Sequence, residues 1–310
     1  MNAKNIILAI LMVMSFTACS SEIEGIDNNK TNNSVSTATA TTSIVVSFSA
    51  EKLATKSTVS AEASDAELNI NEYVIAVFEK ETGDRVGFAS GTNEGDRVTI
   101  ENIDCKEGNV IVYAIANAPV EQFKNLYTQS AFEAAEVVEN PDKLVKVGRE
   151  EIELKKDQTT SLEIKLSQLT ARVKVKFGVS VDSNEKVSFE ATSYNATIAN
   201  TSAIWNIRAI KGETVNAEIN ENFFTYYTYA VENPELTLDG TLSVEGTDKT
   251  KDVTINIPFE KDGKTLSELA NGVSYEITVD ATLKVDINAN PEISYKVHSI
   301  ETIDQGITFE

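Results

Sequence analysis

The sequence predicts an all-β fold with minor helices, built as two β-sandwich domains in tandem. Three observations carry that expectation. Apolar residues recur with period two from residue 44 to the C-terminus. Turn signals such as Thr82-Gly83-Asp84 and Asn271-Gly272 interrupt the alternation at short intervals. Helical spacing is confined to one patch after residue 119. A chain of 310 residues with 41% apolar content suffices for two cores of ordinary size.

The N-terminus comes first and reads as a processing signal. In "MNAKNIILAILMVMSFTAC", Lys4 gives a positive start and Ile6 to Met14 is an unbroken apolar run, too short to span a bilayer as a helix. Small residues precede Cys19, as in a bacterial lipobox, although Phe16 stands where Leu is more usual. Residues 1–19 are therefore read as a lipoprotein signal with Cys19 as the lipidated residue. The competing reading is an ordinary secretory signal with a chance cysteine. Residues 20–42 are rich in Asn, Ser, Thr and Ala without apolar period, which predicts a flexible tether.

The first sandwich is expected over 43–167. Its first strand, Ile44 to Ala50, places Val46, Phe48 and Ala50 on one face, with Ile44 in phase. Lys52 and Lys56 follow in a loop-like stretch. Val74 to Phe78 is apolar on both faces and predicts a covered, central strand. Strands follow in "GDRVTIENI" and "GNVIVYAIANA", with Cys105 between them as a small unpaired residue. Val120, Phe123, Leu126 and Tyr127 have helical spacing, and Ser130 with Glu133 suggests a capping box for a second short helix that Asn140-Pro141 ends.

The second sandwich is expected over 168–310. Leu169, Ala171, Val173, Val175 and Phe177 alternate with Thr170, Arg172, Lys174 and Lys176, which predicts one buried face and one basic, wet face. Val253, Ile255 and Ile257 alternate, and from Val273 to Ile287 the alternation is continuous. Residues 293–310 offer one or two more strands. Trp205 and "FFTYYTY" at 223–229 are the one aromatic concentration, either a platform for sugars or a strand packed on both sides, with the packed strand preferred.

Composition excludes several functions. Lys plus Arg number 27 against 48 Asp plus Glu, a formal charge of −21, which disfavours nucleic acid and electrostatic docking on anionic lipid. Two cysteines and one histidine are too few for a disulfide framework or a Cys/His metal site. His298 alternates within a strand-like run with no nucleophile motif and reads as structural. No Gly-rich phosphate loop or EF-hand loop occurs. The chain is read as a non-enzyme without cofactor or metal.

Taken in order, several segments resemble the fimbrillins of Bacteroidetes, the pilins of type V pili. They are the lipobox ending at Cys19, the tether and "TTSIVVSFSAEKLATKS", then "LNINEYVIAVFEKETG". "IENIDCKEGNVIVYAIANAPVEQF", "QLTARVKVKF" and "NGVSYEITVDATLKV" complete the series. Two features depart from that family: a lysine stands where an arginine often marks the processing site, and the last strand has no tryptophan. The resemblance implies transthyretin-like topology in both sandwiches. It implies an outer-membrane lipoprotein precursor, cut at Lys56 or Lys52, that loses the strand bearing Ile44, Val46, Phe48 and Ala50. A strand from another subunit would refill the groove, its knobs being Ile293, Tyr295 and Val297, or Ile303, Ile307 and Phe309. The implied partners are further copies, other fimbrial subunits, the outer membrane through the lipid, and a host or bacterial surface ligand. The implied location is the outer membrane for the precursor and an extracellular fimbrium for the product. Alternatives are a fimbrial anchor or tip adhesin with the same fold, or a glycan-binding surface lipoprotein using Trp205 and Tyr227.

Overall fold

A computed structural model describes residues 42–50, 65–138, 140–261 and 263–285, and the backbone course of 292–304. The described residues belong to one compact unit, Ala40–Glu310. Strand dominates and helix is confined to single turns, so the all-β expectation holds.

The first half contains strand β1 (Ser43–Ala50), the one-turn helix α1 (Asp65–Leu68), β2 (Glu72–Glu79), β3 (Arg85–Thr92), β4 (Arg97–Asp104) and β5 (Gly108–Ala116). Helix α2 (Gln129–Glu133), β6 (Glu136–Val138), β7 (Lys146–Leu154) and β8 (Thr159–Gln168) follow. Seven strands hydrogen-bond in the order β3-β2-β5-β7-β8-β1-β4. Strand β8 turns the corner of this sheet. Its last residues, Ser167 and Gln168, pair with β7, while Thr159 to Leu166 run parallel to β1. The sheet thus becomes two layers over one core, where Ile75, Val77, Val112 and Ala114 meet the apolar face of β1.

Strands β2 and β5 are covered on both faces, as the unbroken run Val74 to Phe78 predicts. Their outer face carries Phe78 and Tyr113, packed against Phe132 of α2 at ring separations of 5.2 and 5.4 Å. The helical patch is shorter than its spacing suggests. It consists of a 3₁₀ turn at Val120–Gln122 and α2. The N-cap of α2 is Thr128, not Ser130: its hydroxyl accepts from the Ala131 amide and its backbone is extended. Ser130 lies inside the helix, where it cannot cap.

The second half contains β9 (Ala171–Ser183), β10 (Val187–Ile198), β11 (Thr201–Ala203), β12 (Ile210–Lys211), β13 (Glu213–Glu218), β14 (Phe223–Thr228) and β15 (Val231–Glu232). It continues with β16 (Leu236–Val244), β17 (Thr250–Asn256), β18 (Glu260–Lys261), β19 (Lys264–Thr265), β20 (Glu268–Leu269), β21 (Val273–Val285) and β22 (Glu292–Asp304). Two four-stranded sheets, β14-β9-β21-β22 and β13-β10-β16-β17, face each other. Val173, Val175, Ile277 and Val279 of one meet Leu238 and Ile255 of the other within a single apolar cluster.

Two expectations for this half need correction. Thr170 and Arg172 are buried, at 1% and 3% exposure, whereas Lys176 is exposed. The predicted wet face of β9 therefore begins only beyond Arg172, because other segments cover its first residues. Strand β14 is packed on one side, not two. Phe224 and Tyr226 are buried, Tyr194 stacking on Phe224 at 4.0 Å, while Phe223 on the other face is 46% exposed.

Candidate functional site: the first strand and its cradle

Strand β1 is short, β-branched and alternating, the pattern that fits a pleated half-buried surface. Ile44, Val46 and Phe48 are 0%, 0% and 1% exposed, and Ala50 is half-buried at the strand's end. Three such side chains stabilise the seat by roughly 5–9 kcal/mol as an upper figure for area removed from water. Phe48 meets Tyr73 edge to face at 5.9 Å, which fixes the ring.

Although first in the fold, β1 is not an edge strand. It pairs in parallel with β8 from Ser43↔Thr159 to Ala50↔Leu166, and antiparallel with β4 on its other side. Pairing with β4 shifts between Ile44↔Ile103 and Val46↔Ile100, so β4 carries an extra residue there. Asn102, in that stretch, has φ +58°, the left-handed geometry that Asn tolerates. Both ends are tied down: the Cys105 amide donates to the Thr42 carbonyl at 3.0 Å and the Ala50 amide to that of Asp96 at 3.2 Å. The Ser43 and Ser47 hydroxyls pair with those of Thr159 and Thr99, each at 2.9 Å.

The seat has a simple chemistry. Its floor and walls are mostly aliphatic, including Ile70, Val98, Ile103, Ile164 and Leu166, with the Tyr73 ring beside Phe48. Without β1 it would be an apolar trough with two rows of unpaired backbone groups, on β4 and on β8. Such a trough suits an extended peptide. Cys105 lies beside it, half-buried. Burial, and secondarily Asp104, push its thiol up to about 12, so it stays a thiol at neutral pH.

The sequence-predicted residues fall into three groups. Ile44, Val46 and Phe48 converge on one buried face, with Ala50 at its margin. Ile293, Tyr295, Val297 and Ile303 lie on β22, at register positions opposite Leu283, Ala281, Val279 and Ser274 of β21. There β22 has an extra residue at His298, because Thr278 pairs with Ser299 and Val279 with Val297. Strand β22 is thus seated at the edge of its own sheet, apart from the β1 cradle. Cys19, Lys52, Lys56, Ile307 and Phe309 lie outside the described residues.

The aromatic residues do not form one platform. Trp205 packs edge-on against Tyr113 at 5.6 Å, with the Arg149 guanidinium 4.7 Å above its ring, whereas Tyr226 stacks beside Tyr194 at 5.8 Å. Pattern reading also missed a buried polar cluster of Glu67, Asn117, Lys146 and Arg172. Nothing in the alternation around "VKVG" or "ARVKV" distinguishes a lysine or arginine that other segments will cover.

No protein-family model matches the chain, and no curated protein does. Solved structures do. A proposed cell adhesion protein from Parabacteroides distasonis superposes with a TM-score of 0.64 at 13% identity, over 86% of this chain and 98% of that one. A fimbrilin from Porphyromonas gingivalis gives 0.56 at 14%, over 83% and 97%. The tip fimbrial protein Mfa3 of the same organism, with a C-terminal truncation, gives 0.51 at 13%, over 83% and 99%. The chain therefore has the fold of Bacteroidetes fimbrial and cell-adhesion proteins.

Proposed function

We propose that this chain is a structural subunit of a cell-surface fimbria, supporting adhesion and assembled by strand exchange. The observation that carries the reading is β1 itself: a strand buried on its apolar face and paired along both edges, in a chain of fimbrial fold. An edge or a barrel needs no such arrangement. Losing an interior strand costs a fold dearly unless another strand replaces it, and replacement from a second copy produces a polymer.

The remaining parts of the proposal come from sequence. Cys19 takes lipid on the way to the outer membrane. The chain is then cut at Lys56 or Lys52, the only basic residues in 51–64. The refilling strand comes from the C-terminal segment of another copy, Ile293 to Phe309. The joint between two sandwich domains, each with transthyretin-like topology, falls near Ser167. The precursor is placed at the outer membrane and the product in an extracellular fimbrium. A tip role is compatible with this fold, since a tip fimbrial protein is similar to it. A lipidated, uncut chain would mark an anchor.

The test uses the purified full chain. A limited cut by a lysine-specific protease is followed by sedimentation and intact mass. Release of the β1 fragment with the appearance of a ladder of larger species is expected. A cut chain that keeps its fragment and stays monomeric would sink the proposal.

A further inference from the structure

Four polar side chains outside the strand seat are buried together where the chain continues after 51–64. Glu67, Asn117, Lys146 and Arg172 are 5%, 5%, 1% and 3% exposed. Lys146 Nζ donates to the carbonyls of Ala66, Asn69 and Leu144, each at 3.1 Å, so three protons meet three acceptors. Asn117, in the left-handed region at φ +63°, donates Nδ2 to the Asn69 carbonyl at 2.8 Å and to that of Leu144 at 3.1 Å. Its Oδ1 accepts from the Asn71 amide at 2.8 Å. Arg172 Nη1 donates to both Glu67 carboxylate oxygens at 3.0 and 3.2 Å, and its Nε to Ser274 Oγ at 2.9 Å. Lys146 of β7, Arg172 of β9 and Asn117 just after β5 each grip residues 66–71, the lysine and the asparagine also holding Leu144 beside them, while Ser274 of β21 supports Arg172. None comes from β1.

A buried ion pair is weak support for stability, since a packed apolar cluster of the same volume serves as well. What a hydrogen-bonded polar cluster does is fix one geometry, here with every group paired except the buried Arg172 Nη2. The geometry fixed here matters to the strand seat. Ile70, fully buried, belongs to the same apolar cluster as β1. Its amide donates to the Gly95 carbonyl at 2.7 Å, next to Asp96, which receives the Ala50 amide. The segment therefore meets the outgoing end of β1 at one turn, 95–96.

We infer that this cluster is a latch that holds residues 66–71 in place independently of β1, so that Ile70 remains as the end wall of the trough after the strand leaves. An incoming strand would then stop where Ala50 stopped, which sets its register. The inference rests on the strand-exchange reading and adds a register-setting stop to the same seat.

Hydrogen exchange of the full chain tests it, before and after a lysine-specific cut between residues 51 and 64, in the wild type and in Lys146→Met and Glu67→Gln. The reporters are the Ile70 and Asn71 amides. In the wild type their protection should stay within about threefold after β1 is released, whereas each variant should lose about tenfold or more while β2 and β5 keep theirs. A wild-type loss equal to the variants', or variants that keep full protection, overturns the latch. Glu67→Gln serves if Lys146→Met does not fold. If the cut fragment never leaves, the strand-exchange reading fails by itself. The latch is then judged in the uncut chains, where unchanged protection in both variants overturns it.

Discussion

Lys146 shows how far a single residue can depart from its pattern. In sequence it is one polar position among apolar neighbours, suited to a wet strand face. In the fold it is buried, and desolvation lowers its pKa from 10.5 to about 8 against the opposing pull of Glu67. A folded-state value below the unfolded one means that, between about pH 8 and 10.5, the unfolded chain holds a proton the folded chain has lost. Stability from this residue therefore rises with pH across that window, by on the order of 3 kcal/mol at full relief. Cys105 and Tyr73 act in the opposite direction, since their raised values stabilise the fold less as pH climbs past 9 or 10. Their contribution cancels when wild type is compared with Lys146→Met. Urea unfolding of both at pH 7.5 and 10 should show the wild type gaining relative to the variant. An unchanged difference would mean that the ammonium is not desolvated. Arg172 was illegible for the same reason. Alternation tells which side of a strand a residue takes, and nothing about whether a distant segment such as α1 will cover that side.

At the scale of the element, β1 was the most legible part of the chain. Period two, β-branching and one aromatic are local properties, and they place Ile44, Val46 and Phe48 correctly. Its interior position, parallel to β8 and antiparallel to β4, depends on pairings distant in sequence and left no local trace. The helical patch failed for a related reason. Its apolar spacing serves packing of Phe123 and Phe132 onto β2 and β5, which single turns accomplish as well as a longer helix. The seat leads to a prediction about the strand as a unit. Phe48→Ala should destabilise the uncut chain by about 3–5 kcal/mol, the range for a large ring deleted from a close-packed site. It should also hasten departure of the strand once the chain is cut, and leave the stability of the assembled polymer unaltered, because the polymer no longer contains that residue. Thermal melts of the two forms check this. A polymer weakened as much as the monomer would mean that β1 is never shed.

The whole molecule combines layered β-sheets with a strongly acidic composition, a formal charge of −21 that favours solubility and would do so during the proposed strand exchange. The order of strands along the chain was legible because it is linear. The two sheet edges and the turned corner at β8 were not, because they arise from closure of distant strands. One measurement bears most directly on the central claim that β1 is a placeholder: the mature N-terminus of the cell-surface protein, by intact mass and N-terminal peptide mapping. The account predicts an unlipidated chain that begins just after Lys52 or Lys56. A surface protein that still begins at a lipidated Cys19 and retains Ser43 to Ala50 would contradict it.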